Sequence, residues 1–514
     1  MVVVVVLVVV AAAAPLIVSA FSVGGPNVRH PGAVSALGVA SGPSSAHPFG
    51  VDELGRDVLA RVVYGARTAL FDGVLGALLA GFAGGLLGLA AARAGAWGRN
   101  VTAVVADAFT AFPVVLVGLA VGASCDAGGC AAGAISPGVA TVVFAVALCG
   151  LGPVARAAAG GGSWRPPAAA TLRFVPAAIL LDAALGFLGA GVRGSTADWG
   201  QMLAGAEHAL VNGDSAWWLL VFPGVALVVT VGAWRLLGGA FGAPPAPGGE
   251  RGVVGVSAGE RGVVRAVAQL PVIGLIAFML FWVLPERAGA SMFDHSTMSA
   301  IWSHLSGTVS VLAGVVVVWL ALGPLLGVAA VRRRGRPLRA AAYVLSCAPV
   351  FWLGLIAVWL FASDVGKLGV LPGVGRYVGL TDDPGKWVGS LALPWIVLGL
   401  WWAAWGVLAA RADAGRIVDS DFVRLARAKG LPARRVFWRH VVRAAASVCV
   451  RRLACDLGVL LGGVLLIEVV FGIGGAGLLA YQSARLGAVE VAQWTAVLAA
   501  LLVVIVRALP GIRR

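Results

Sequence analysis

ILLDAALGFLGAG, residues 179–191, returns as LLIEVVFGIGGAG at residues 465–477 of this 514-residue chain. Counted from the acid of each copy, Asp182 or Glu468, glycines stand at matching offsets: Gly186 and Gly472, Gly189 and Gly475, Gly191 and Gly477. Each copy lies near the outer end of the fifth long apolar run of its half. A motif repeated at corresponding places predicts two structural halves that are built alike.

Composition places the chain in a membrane. Hydrophobic residues make up 60% of it, charged residues only 12%, and the mean hydropathy is +0.95, all outside the range of soluble proteins. A net charge of +15 would suggest nucleic-acid binding in a soluble chain. Here the basic residues cluster in short loops between apolar runs, which is typical of cytoplasmic loops. We therefore expect a multi-pass protein with lipid around it and no nucleic-acid partner.

Twelve apolar runs are long enough to cross a hydrocarbon core of about 30 Å. They lie near residues 2–22, 68–92, 101–123, 136–154, 172–191, 216–240, 268–284, 306–330, 338–362, 390–410, 453–473 and 492–508. With the N-terminus inside, the arginine-rich loops all fall on the inner side, so both termini are expected to be cytoplasmic. The sequence thus predicts an all-α polytopic membrane protein of about twelve transmembrane helices in two parallel six-helix halves.

A linker separates the two halves. Residues 241–265 are rich in proline and glycine and lack an apolar period, which is typical of a flexible segment. The first half is then expected over residues 1–240 and the second over residues 266–514. Because each half has an even number of spans, both are expected to face the same way across the membrane.

The basic segment, residues 421–445 with sequence DFVRLARAKGLPARRVFWRHVVRAA, lies between two apolar runs. Gly430 is placed to end one helix and Pro432 to open the next. Three arginines at i, i+4 spacing are expected on one face: Arg435, Arg439 and Arg443. The pattern predicts a helix–turn–helix at the inner membrane surface. It could bind a partner protein there, or lie on anionic headgroups.

A family resemblance rests on these and three further motifs. HPFGVDELGRDVLARVVYGARTAL (47–70), DWGQML (198–203) and LLVFPGVALVVTVGAWRLLG (219–238) stand in order in the first half, and LIEVVFGIGGAGLL (466–479) follows the basic segment in the second. The first half resembles one permease subunit of the peptide-type (dipeptide/oligopeptide/nickel) ABC importers, and the second half resembles its partner subunit. The two subunits are joined in this chain.

The resemblance implies a transport function in the cell (plasma or inner) membrane, with no covalent chemistry, no catalytic residue and no metal site. The chain would form the pathway for di- and oligopeptides, with nickel or another small solute as the alternative. ATP and Mg would be bound by two cytoplasmic ATPase subunits, so this chain would hold no cofactor. An external solute-binding protein, a lipoprotein or a periplasmic protein, would deliver the substrate.

The resemblance also assigns residues. The ATPase-coupling residues would be Phe422, Val423, Ala426, Gly430, Leu431, Arg434 and Arg435. Charged groups at membrane depth are costly and therefore functional by default, so we expect a pathway or gating role for the repeat residues Asp182, Glu468, Gly189 and Gly475. The alternative is that both acids touch water at the outer end. Outer-face contact is expected for Asp52, Gly55, Arg56 and Asp57, unless this loop only braces the outer face.

The first half departs from the family at its own coupling loop. Residues 155–173, ARAAAGGGSWRPPAAATLR, are shorter than the loop expected by about one helix–turn–helix. Gly160, Gly161, Gly162, Pro166 and Pro167 argue against a stable helix here. We therefore expect asymmetric coupling, with the second half as the principal ATPase contact.

Two other classes of protein fit parts of the pattern. A secondary transporter of the major facilitator kind also has twelve spans in two parallel halves, but it should carry an acid in the loop that is here ARAGAWGRN (92–100). A membrane scaffold that no longer transports would explain the altered loop at 155–173. Six histidines without paired spacing predict no metal site, and Cys125 and Cys130 could form a disulfide in an outer loop.

Overall fold

The computed structural model describes residues 2–21, 23–35, 39–124, 137–161, 165–191, 196–213, 216–241, 258–278, 280–281, 295–331, 335–363, 366–418 and 421–509. Within these ranges the regular structure is helical, apart from isolated β-bridges. The all-α prediction is confirmed.

The first half contains nine helices among its described residues. They are α1 (Val2–Ala12), α2 (Ala14–Ala20), α3 (Val58–Arg93), α4 (Gly95–Phe109), α5 (Val114–Ser124), α6 (Pro137–Gly161), α7 (Arg165–Phe187), α8 (Trp199–Val211) and α9 (Trp217–Ala240).

From residue 258 onward the described residues form ten helices and one turn of π-helix, Phe437–Val442. Residues 258–265, predicted as part of a flexible linker, belong to the first of these helices. The helices are α10 (Ala258–Phe278), α11 (His295–Val331), α12 (Arg336–Cys347), α13 (Val350–Phe361), α14 (Pro384–Val418), α15 (Asp421–Ala428), α16 (Ala433–Val436), α17 (Arg443–Phe471), α18 (Ala476–Arg485) and α19 (Val489–Ala508).

Among the described residues, eight helices are long and apolar enough to cross a membrane: α3, α6, α7, α9, α11, α14, α17 and α19. Three more of the predicted runs are pairs of helices bent at a short break, α1–α2 by 71°, α4–α5 by 70° and α12–α13 by 103°. Counting each bent pair as one span gives eleven. The remaining predicted run, 268–284, overlaps a shorter apolar helix at Val267–Phe278. The described part of the chain therefore supports eight to eleven spans rather than a count of twelve.

The two halves pack in the same order. Helix α3 lies along α6 and α7 just as α11 lies along α14 and α17, and the series α7–α8–α9 matches α17–α18–α19. Where the halves meet, α9 contacts α12 and α13, and α19 contacts α5. The last span of each half thus lies against the broken third span of the other half.

Glycines let α3 and α6 approach closely. A Cβ atom at Gly84 would stand 2.7 Å from the carbonyl oxygen of Leu151, and one at Gly88 would stand 2.2 Å from that of Ala155. Small residues of this kind drive helix packing in membranes, because lipid supplies no hydrophobic force between helices. The contact of α3 with α6 depends on them.

The matching pair in the second half uses glycines to hold tryptophans. Trp395 of α14 lies against Gly314 of α11, and Trp319 of α11 lies against Gly406 of α14. The indole nitrogen of Trp395 donates to the backbone oxygen of Ser310 at 3.0 Å. The two halves therefore share an arrangement of helices but not the side chains that pack them.

We predict that Gly88→Ala destabilises the chain by about 1–3 kcal/mol, the usual cost of overpacking. The matched control is Gly239→Ala on α9, where a Cβ meets nothing within 4 Å. That change should stabilise by up to about 1 kcal/mol, since alanine is the better helix former. Thermal unfolding in detergent measures both. Equal effects would show that the α3–α6 contact is not tightly packed.

Candidate functional site

Asp57, one of the four residues predicted to make outer-face contact, is fully buried and caps α3. Its Oδ1 accepts the backbone N–H of Ala60 at 2.9 Å, and its Oδ2 lies 2.8 Å from Nδ1 of His47. A carboxylate at this position binds an N–H that has no partner within the helix. Asp57 therefore fixes where the span begins.

The other three residues shape the loop itself. The Asp52 carboxylate accepts the backbone N–H groups of Leu54 at 3.0 Å and Arg56 at 2.9 Å, and also Nε of Arg56 at 2.7 Å. Gly55 has φ of +72°, and a Cβ there would stand 2.9 Å from the backbone oxygen of His30. These bonds are internal, as the bracing alternative requires. Contact with an external protein stays a prediction.

Glu468 is fully buried and holds the start of α18. Its Oε1 accepts the hydroxyl of Thr308 at 2.6 Å, and its Oε2 accepts the N–H of Leu478 at 3.0 Å. The Thr308 oxygen in turn accepts the N–H of Ala476 at 2.9 Å. A Cβ at Gly475 would stand 2.3 Å from the carboxyl carbon of Glu468. Gly475 thus leaves the space in which the carboxylate caps the helix.

Asp182, the counterpart of Glu468 in the repeat, does not have this contact. In the first half α7 ends at Phe187 and α8 begins only at Trp199. The residue that caps α8 is therefore Asp198, whose Oδ1 accepts the N–H of Gly200 at 2.7 Å. Oδ1 of Asp182 has no hydrogen-bond partner among the described residues. The repeated acids therefore have different environments in the two halves.

Both repeat acids are enclosed by protein. Asp182 is 2% exposed and Glu468 is 0% exposed, so the alternative in which they touch water is wrong. The glycines also diverge: the left-handed residue is Gly189 (φ +74°) in the first copy and Gly472 (φ +61°) in the second. The matching glycine offsets of the two copies thus do not produce the same turn.

Asp198 lies next to Asp182 in a buried acidic cluster. Burial raises the pKa of Asp198 to about 6, although the N–H of Gly200 and the charge of Arg61 act in the opposite direction. Among the described residues, no group of three or more histidine, cysteine, aspartate or glutamate side chains could hold a metal ion.

An apolar face fixes the basic segment to the bundle. Val423, Ala426, Val436 and Val441 are buried in one cluster with Val328 of α11. Two of the predicted coupling residues, Val423 and Ala426, belong to this anchoring face. They position the segment and are not available for contact with a partner.

The turn between the two short helices is built as the sequence predicts. Gly430 has φ of +72°, a conformation that glycine adopts without strain. The N–H of Leu431 donates to the backbone oxygen of Ala426 at 3.3 Å, and that of Arg435 donates to the backbone oxygen of Pro432 at 2.8 Å. Helix α15 ends at Ala428 and α16 begins at Ala433, so the predicted helix–turn–helix is present.

The predicted i, i+4 face is interrupted. Residues 437–442 form a π turn, which inserts an extra residue into the helical repeat. Arg435, Arg439 and Arg443 are nevertheless all exposed. The arginines form an exposed basic surface, but not the regular stripe of an α-helix.

The free side of the segment carries the remaining coupling residues. Gly430, Arg434 and Arg435 are exposed and Leu431 is half-buried, while the side chain of Phe422 lies outside the described residues. The sequence reading missed two apolar side chains, Leu425 (55% exposed) and Trp438 (53% exposed). In the sequence both could have been recognised as apolar residues at positions where an amphipathic helix normally carries polar ones.

The first half has a three-residue connection at the corresponding place. Helix α6 continues to Gly161 and α7 begins at Arg165. The expectation that the glycines would prevent a helix is wrong, because residues 155–161 extend α6, with Ala155 and Ala158 buried. Pro166 and Pro167 fall in the first turn of α7, where proline is tolerated. The described residues here contain no helix–turn–helix.

Comparisons with known proteins agree with this arrangement. Residues 319–511 match the family described as binding-protein-dependent transport system inner membrane component. A putative peptide transport system permease protein of Brucella suis is 31% identical over 229 residues, which are 38% of this chain and 72% of that protein.

The predicted disulfide pair, Cys125 and Cys130, and residues 242–257 of the linker lie outside the described residues.

Two further relatives carry related names. A di/tripeptide transport system permease protein of Pseudomonas aeruginosa is 33% identical over 221 residues, covering 37% of this chain and 68% of that protein. A glutathione transport system permease protein of Pectobacterium atrosepticum is 30% identical over 227 residues, covering 38% and 71%. With its apolar helices and these relatives, the chain is a multi-pass membrane protein that belongs to the permeases of peptide-type, binding-protein-dependent ABC importers.

Proposed function

We propose that the chain forms the pathway by which an importer takes up di- and oligopeptides, with two fused permease halves, 1–240 and 266–514, joined by a cytoplasmic linker. The names of the relatives support a peptide substrate. Each relative matches 37–38% of this chain while 68–72% of its own length is covered, as expected if the chain holds two such subunits. Both termini would face the cytoplasm.

The partners follow from the class of transporter. An external solute-binding protein presents the substrate, and two cytoplasmic ATPase subunits bind ATP and Mg, so that the chain needs no cofactor of its own. The description of the family as binding-protein-dependent supports the first partner.

Competition of unlabelled peptides against nickel in an uptake assay distinguishes the two substrate classes.

One observation carries the ATPase assignment. The basic segment has an apolar face packed on α11 and an opposite face that exposes Gly430, Arg434 and Arg435. A segment fixed on one side transmits a force applied to the other, and here it continues into α17 through Val442. We infer that an ATPase subunit with an acidic or polar cleft docks on the exposed face.

The pathway assignment concerns the outer end of the bundle. Glu468, Thr308 and Gly475 hold α18 against α11 and α17. We infer that they position this short helix beside the pathway rather than bind substrate, since their polar atoms are used in capping. Asp182 and Gly189 occupy the same place in the first half without the cap.

We predict that reversing both charges, Arg434→Glu with Arg435→Glu, lowers ATPase co-purification and uptake about tenfold or more, as loss of charge-assisted contacts does. The control is Lys386→Glu at the other end of the bundle, where Lys386 is 74% exposed. Pull-down and uptake into proteoliposomes measure the two effects. Unchanged association in the arginine variant would refute docking on this face.

We also predict asymmetric contact with the ATPase subunits. In a chain without other cysteines, Arg434→Cys should cross-link strongly to an ATPase subunit, and Gly160→Cys weakly. Both positions are exposed, so accessibility alone does not separate them. Equal cross-linking yields would show that the first half retains an ATPase contact of its own.

For the outer brace, Gly475→Ala should displace the Glu468 carboxylate, with a loss of about 1–3 kcal/mol in stability and reduced uptake. Gly474→Ala is the matched neighbour, because a Cβ at Gly474 meets nothing within 4 Å. Thermal unfolding and uptake are measured on both, with ATPase association expected to be unchanged. A Gly475 variant that behaves like the Gly474 variant would remove the brace from the mechanism.

A further inference from the structure

Two arginines stand at matching places in the last helix of each half. Counted from Trp217 at the start of α9 and Val489 at the start of α19, Arg235 and Arg507 are each the nineteenth residue. Helix α9 packs on α12 and α13, and helix α19 packs on α5. Each arginine is thus carried toward the break in the third span of the opposite half, which we call the elbow.

Arg507 bonds to the elbow of the first half. Its Nη1 donates to the backbone oxygen of Asp107 at 2.8 Å and to the hydroxyl oxygen of Thr110 at 3.3 Å, and its Nη2 donates to the backbone oxygen of Thr110 at 3.3 Å. Thr110 directly follows the last residue of α4. Carbonyl groups at a helix end lack helical partners and carry partial negative charge, which suits a guanidinium.

The same guanidinium also holds its own half. Nε donates to the backbone oxygen of Ala454 at 3.1 Å, and Nη2 donates to that of Cys455. Next to this point, a Cβ at Gly458 of α17 would stand 2.7 Å from the carbonyl oxygen of Thr110. Arg507 is only 5% exposed, and it joins α19, α17 and the first elbow in one buried contact.

Arg235 contacts the second elbow through side chains rather than through backbone carbonyl groups. Its Nη1 donates to the hydroxyl of Ser346 and lies 3.9 Å from Sγ of Cys347, and these are the last two residues of α12. The guanidinium carbon lies 4.1 Å from the ring centroid of Trp405, a cation–π distance. Arg235 therefore joins α9 to α12 and α14 of the other half.

The placement of these charges is difficult to explain as local capping. An arginine within a membrane bundle is costly and is kept when it has a function, and a break can be capped from its own half. Here both arginines come from the opposite half, at the same register. Relative movement of the halves at this level must break both sets of contacts.

We propose that Arg235 and Arg507 are positioning residues that lock each half to the elbow of the other, and that the two locks open together when the pathway changes its access. The proposal rests on the two-half pathway proposed above. It concerns an equilibrium of the chain itself, so it can be tested without ATPase subunits or substrate.

The test measures how fast buried thiols react with a maleimide in the full chain, reconstituted in lipid nanodiscs. One reporter is native Cys347, 1% exposed, at the second elbow; the other is Ala111→Cys, at a fully buried position of the first elbow. All other cysteines are removed. Arg235→Met, Arg507→Met and a control, Arg173→Met, are compared with the parent. The control arginine bonds within its own helix, to the backbone oxygen of Ala169.

Each lock variant should raise labelling at both elbows by about tenfold or more, the shift in an opening equilibrium that loss of one charge-assisted hydrogen bond produces. The decisive measurement is the labelling rate at the elbow that the substituted arginine does not contact. This is the rate at Cys347 for Arg507→Met, and the rate at the Ala111→Cys thiol for Arg235→Met. The Arg173 control should change neither. If each variant exposes only the neighbouring thiol, or neither thiol, the arginines are independent caps and the proposal is overturned.

A second pair of variants guards against loss of the fold. Arg507→Lys and Arg235→Lys keep the charge but lose the planar fork of donors, so they should give intermediate labelling with an unchanged thermal midpoint. Uptake with ATPase subunits present is then measured separately. Failed uptake in the parent chain would count against the proposed function, whereas the labelling result would still decide the locks.

Discussion

A helix that ends inside an apolar bundle leaves N–H and C=O groups without water to bind, and the rest of this structure depends on how those groups are satisfied. The chain uses buried charged side chains for the purpose. Glu468 binds the start of α18, Asp198 binds the start of α8, and Arg507 binds the end of α4. Glu468 and Arg507 belong to different elements from the groups that they cap, so these two caps are also connections between elements.

The spans and the turn of the basic segment could be predicted from the sequence, because each is encoded by residues close together in the chain. Apolar runs predicted the spans, and Gly430 with Pro432 predicted the turn of the basic segment. The elbows were not predicted, since a hydropathy window averages over a break of two to four residues. A signal was nevertheless present: Pro113 and Pro349 stand directly before α5 and α13, and proline disfavours a helical conformation in the residue that precedes it.

Other features depended on distance in space and could not be read from spacing. Asp182 and Glu468 share an offset in the repeat, but the acid caps the next helix only where that helix starts close by, at Ala476. Likewise, Gly160 and Gly161 have low helix propensity, yet α6 continues through them because its neighbouring alanines are buried. Packing overrode the local preference in both cases.

Helix α17 connects the basic segment of the second half to both halves of the bundle, so a force that acts only on the second half is compatible with the asymmetry. This helix begins at the basic segment, carries the carbonyls of Ala454 and Cys455 that Arg507 binds, and ends near Glu468, which holds α18. A displacement applied at its start therefore reaches the outer brace of its own half and, through Arg507, the elbow of the other half. On the proposed function, the first half, whose described residues at 155–173 contain no helix–turn–helix, would follow the second as long as this arginine stays bonded.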